Sequence, residues 1–94
     1  MTNPMTNDQL ENQLTHHIQD ERRATTEILK LINIAADRRL YLERGYPSLF
    51  EWLVKRFGYS ESAAFRRIEA ARLLKAVPAI EEKIKTGSLN LTNL

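Results

Sequence analysis

A chain of 94 residues, 43% hydrophobic and 28% charged, can bury one modest core but hardly a deep enclosed active site beside it. It has no cysteine, which excludes disulfide frameworks, thiol nucleophiles and cysteine-based zinc or iron–sulfur sites, and points to the cytoplasm. The net charge of +2 is unevenly spread: residues 1–20 carry three acids and no Lys or Arg, residues 21–75 carry twelve Lys and Arg against seven acids, and residues 76–94 balance.

Residues 1–7 (MTNPMTN) are polar and lack periodic apolar positions, so they read as a disordered tail ahead of one helical domain over 8–94. A helical stripe begins at once, through Leu10, Leu14, Ile18, Ile28, Ile32 and Ala35. Thr6 or Asn7 is placed to cap it, and Asp8 and Glu11 suit the positive end of the helix dipole. The pattern predicts one long amphipathic helix to about Arg39, with a break near Ala24–Thr26 as the alternative, because successive threonines weaken helix propensity. Arg38 and Arg39 then suit the helix C-terminus and could pair with Glu43 or Glu51.

Gly45, Gly58 and Gly87 each follow an apolar-periodic run and read as helix stops. Ser48 with Glu51 predicts a capping box ahead of Leu49, Phe50, Leu53, Val54 and Phe57. Ser60 caps a run whose apolar side is Ala64, Ile68, Ala71 and Leu74. Pro78 opens a short helix, Ala79–Thr86, with a Glu81–Lys85 pair at i,i+4. Leu89, Leu91 and Leu94 then alternate with polar residues; Thr92 is expected to cap a further helix, with a short extended stretch as the alternative. The expectation is an all-α fold: one long helix, then three or four shorter ones. The low glycine and proline content argues against sandwiches and barrels. No stretch approaches the ~20 apolar residues that span a bilayer, so no membrane partner is expected, and no signal peptide opens the chain.

Residues 48–75 have the dimensions of a helix-turn-helix, in which the second helix enters a major groove of double-stranded DNA. Arg66 is the candidate for a bidentate contact to guanine, since a guanidinium fork matches the two acceptors that base presents. Ser62 and Arg72 share the outward side, Arg67 lies nearer its edge, and Lys55 and Arg56 end the preceding helix where they could touch phosphate. Glu61 and Glu69 on the same face count against tight phosphate binding, and the same dimensions fit a plain packed helical hairpin.

The motifs RRLYLERGYPSLF, YSESAAFRRIEAARL and GSLNLTNL resemble the helical N-terminal region of bacterial HNH endonuclease-like proteins, from about Leu14 to the end. The resemblance implies an all-helical module that accompanies a nuclease and helps it engage DNA. It brings no HNH domain, whose metal-binding and general-base histidines have no counterpart here. The chain stops where the family pattern enters another helix, so a domain cut short at its C-terminal end is expected.

Other chemistry is not expected. His16 and His17 point about 100° apart on a helix; only the i,i+4 pairs His16/Asp20 and His17/Glu21 could hold a metal, and weakly. Glu43, Glu81 and Glu82 have no evident catalytic partner, and neither a phosphate-cradling glycine loop nor a nucleophile elbow is present. No enzyme activity, cofactor, metal or small-molecule substrate is therefore expected. Seven aromatics fall between residues 41 and 65. They could stack unpaired bases, but the preferred assignment places Phe50, Phe57 and Phe65 in the core, flanked by Tyr41, Tyr46 and Trp52. The alternative to DNA binding is a protein-interaction module, in which the 8–39 helix pairs with a copy of itself or with a nuclease domain.

Overall fold

The structure, a computed structural model, describes residues 4–91; the expected Thr92 cap lies outside the described residues. Five helices follow one another: α1 (Asn7–Arg38), α2 (Leu40–Glu43), α3 (Leu49–Phe57), α4 (Glu61–Ala76) and α5 (Ile80–Thr86), with no strand among the described residues. The fold is all-α, with the first helix long, as the periodicity predicts.

α1 runs unbroken for 32 residues. Thr6 Oγ1 accepts from the Gln9 N–H at 3.1 Å and Gln9 Oε1 accepts from the Thr6 N–H at 3.0 Å, a reciprocal cap. Thr6 and Asn7 thus belong to the helix start and not to a tail. The alternative break at 24–26 does not occur. The Thr25 and Thr26 hydroxyls donate to the carbonyls of Glu21 and Arg22, at 2.9 and 3.1 Å, so their polar groups are satisfied inside the helix. Thr26 is fully buried beside Leu29. α1 ends at Arg39, the one described non-glycine residue at positive φ (51°), and this left-handed step turns the chain into α2.

The other helices pack along the second half of α1. Asn33 Nδ2 donates to the Ala71 carbonyl at 2.8 Å and Lys75 Nζ to Asp37 Oδ1 at 2.6 Å. Residue numbers therefore rise together on the two helices, and α4 lies parallel to α1. α5 runs the other way: Glu81 pairs with Lys30, and Gly87 lies under the Arg22 guanidinium. α4 is the middle helix, between α1 and α3. Its small Ala64, Ala70 and Ala71 are all but fully buried, which lets its neighbours approach closely, and Ile68 and Leu74 complete that side. The core joins them to Leu29, Ile32, Ala35, Trp52, Leu53, Ile80 and Ile84, with Leu89 and Leu91 packed against it.

Two expectations are corrected here. Phe57 and Phe65 are 54% and 60% exposed, whereas Trp52 is buried. At ~100° per residue, Phe65 falls in the middle of the outward arc of α4, and Phe57, the last residue of α3, meets Trp52 only edge to face, with ring centroids 5.1 Å apart. Nor do Arg38 and Arg39 pair with Glu43 or Glu51; Glu51 is taken by Lys55 at 2.8 Å.

Candidate nucleic-acid interface

α3, the turn Gly58–Ser60 and α4 form the predicted pair of helices. Ser48 Oγ accepts from the Glu51 N–H at 3.0 Å to start α3, although the Glu51 side chain turns to Lys55 and does not close the expected box. Gly58, at φ 78°, reaches the left-handed region that a side chain disfavours and directs the chain away from α3. Ser60 Oγ then accepts from the Ala63 N–H at 3.1 Å and starts the 16-residue α4. The rear of α4 is pinned to the core, so its outward arc is set by the helix itself: Glu61, Ser62, Phe65, Arg66, Glu69, Arg72 and Leu73 are all exposed.

The six candidate residues fare differently. Arg66 is exposed and has no carboxylate partner among the described residues. Ser62 lies beside it on the arc, its Oγ 3.5 Å from Ser60 Oγ. Arg72 is exposed but shared with Glu69 at 2.9 Å. Arg67 is half-buried: its guanidinium lies 4.3 Å above the Tyr59 ring and Nη1 donates to the Ala63 carbonyl at 3.2 Å. It stitches the turn to α4. Lys55 is held by Glu51, whose hydrogen bond raises the ammonium above its usual pKa. Arg56 lies 5.5 Å over the Phe57 ring and has no carboxylate partner among the described residues. Exposed ion pairs of this kind are weak and screened by salt, so Lys55 and Arg72 stay available to a polyanion at reduced net charge.

Sequence reasoning did not single out Tyr59 as the platform for Arg67, nor Asn33 as the polar tie between α1 and α4. Asn33 carried a signal, an amide placed among the apolar positions of a long stripe. His16 does meet Asp20, at 3.4 Å on an exposed face. No group of three or more His, Asp or Glu able to hold a metal occurs among the described residues, and no described helix is long and apolar enough to cross a membrane. Comparison with family models, with curated proteins and with solved structures finds no match to the chain.

Proposed function

We propose that the chain is a non-catalytic, cytoplasmic helical module that engages double-stranded DNA through α3 and α4, in the role implied by its resemblance to the accessory region of HNH endonucleases. The observation that carries this reading is Arg66: a guanidinium on the exposed face of the first turns of α4, without a carboxylate partner among the described residues, preceded by a short helix and a three-residue turn. Residues 48–76 add six Lys and Arg against three carboxylates, a mild basic bias that suits a phosphate backbone. Arg66 reads a base edge, while Lys55 and Arg72 hold the register on phosphate.

Titration of a labelled duplex at several salt concentrations tests it, since counterion release makes affinity fall linearly on logarithmic axes. Arg66→Ala should weaken binding to preferred sequences by about tenfold or more, and Lys55→Ala should weaken it evenly across sequences and flatten the salt slope by about one. No binding at low salt overturns the reading, and so does an Arg66→Ala protein that binds every sequence like the parent.

A further inference from the structure

Along α1, Leu10, Leu14, His17, Glu21, Ala24, Ile28 and Leu31 recur at alternating steps of four and three residues, the spacing that lines the seam of a helix paired with another helix. In this fold the seam is bare. Leu10, Leu14 and Leu31 stand 55%, 57% and 62% exposed; His17, Glu21 and Ala24 are exposed and Ile28 only partly buried. The core is served by other positions of the same helix, Thr26, Leu29, Ile32 and Ala35. The first three turns of α1, Asn7–His17, contribute nothing to it.

We propose that this seam seats a second copy of the chain, with the two α1 helices antiparallel. Charge selects the orientation. The arm is acidic, with Asp8, Glu11 and Asp20 and no Lys or Arg before residue 22, so a parallel pair would set two acidic arms side by side and Glu21 against Glu21. The antiparallel pair sets Leu10 against Ile28, Leu14 against Ala24 and His17 against Glu21 of the second copy. Each layer occurs twice about the two-fold axis, as a closed dimer requires. At the centre an imidazole N–H meets a carboxylate, a match between donor and acceptor.

The receiving surface fits the same occupant. Beside Ile28 and Leu31 a groove of about 330 Å³ is lined by Ile32, Trp52, Leu53, Phe57 and Tyr59, almost wholly apolar. Phe57, which lines this groove, carries the Arg56 guanidinium over its ring, and Arg56 has no carboxylate partner among the described residues. Leu10 of the second copy fills the groove and brings Asp8 and Glu11 to Arg56, joining an acidic arm to a basic rim. An apolar surface of this kind, rimmed by charge, marks an interface.

Sedimentation equilibrium from low micromolar to near-millimolar protein tests the association. The parent should pass from monomer to dimer and no further. Leu14→Asp and Leu31→Asp, both at exposed positions, should stay monomeric with unchanged helicity by circular dichroism. Because the chain has no cysteine, orientation can be read by oxidation. Leu14→Cys mixed with Ala24→Cys should cross-link as a heterodimer, and neither variant should cross-link alone. A parent that stays monomeric throughout overturns the proposal, as does efficient self-cross-linking of Leu14→Cys. Arg66 lies on α4, away from the seam, so failure of the DNA reading leaves these outcomes unchanged.

Discussion

Whether a charged side chain on these helices is free or committed depends on what stands three or four residues away. Arg72 has Glu69, Lys55 has Glu51 and Arg67 has the Ala63 carbonyl, whereas the residues at those spacings from Arg66 are Ser62, Ala63, Glu69 and Ala70, and Glu69 is already taken by Arg72. Glu81 is the opposite case, a carboxylate that reaches Lys30 on α1 as well as Lys85 on its own helix. Hydrogen bonds from both ammonium groups hold the Glu81 carboxyl below its usual value of 4.5, and Glu81 in turn raises Lys30. The unfolded chain therefore takes up a proton at Glu81 at a higher pH than the folded one does. The stabilisation is complete above about pH 4.5 and lost as the pH falls through the lowered folded value. Glu81→Gln should lower the urea midpoint at pH 7 and narrow its gap to the parent on acidification, until the two curves converge below the folded pKa. A gap that stays constant from pH 7 to pH 3 would show that the pair contributes through packing alone.

At the scale of the element, α1 is one helix serving two purposes. Its second half supplies the core and its first half supplies none of it. Leu29→Ala, at a position with no exposure, should cost about 2–5 kcal/mol, because the cavity adds to the lost transfer energy. Leu14→Ala, about four turns earlier, should leave the urea midpoint of dilute protein within about 0.5 kcal/mol of the parent. Equal losses at both sites would mean that the arm folds back on the body. The helix starts and stops were legible in the sequence because they are chemical events between neighbours: Ser48, Ser60, Gly58 and Gly87 act within a few residues of themselves. The outward arc of α4 was legible too, since one helix period sorts Arg66 and Arg72 from Ala64 and Ile68. What failed to show needs three dimensions. Arg39 enters the left-handed region with no local stop signal. The exchange of Trp52 for Phe57 in the core depends on how α3 sits against its neighbours, and the platform under Arg67 depends on how the turn folds over α4, whereas the outward place of Phe65 follows from the same helix period that sorts Arg66. The threonines at 25 and 26 raised only the alternative of a break, which does not occur because weak propensity gives way once burial and back-bonding hold the helix.

The whole molecule extends 50 Å along its longest axis and 19 Å along its shortest, a shape that follows from a 32-residue helix packed along part of its length. Such a helix, ~48 Å at 1.5 Å per residue, cannot open as a unit with uniform cost, because tertiary packing and not propensity holds most helices together. The amides of 26–36 lie under α4 and α5 and exchange only when the body unfolds, whereas those of the exposed arm exchange by fraying. Hydrogen exchange of dilute protein should therefore show a step in protection of several orders of magnitude between Ile18 and Thr26, inside a helix that circular dichroism reports as continuous. Seating the arm on a second copy changes only one side of that step. Raising the protein concentration should slow exchange across Leu10–His17 and leave Leu29–Ala35 at its global limit. A concentration-independent profile, with the arm unprotected throughout, would mean that α1 reaches into solvent without a partner of its own kind.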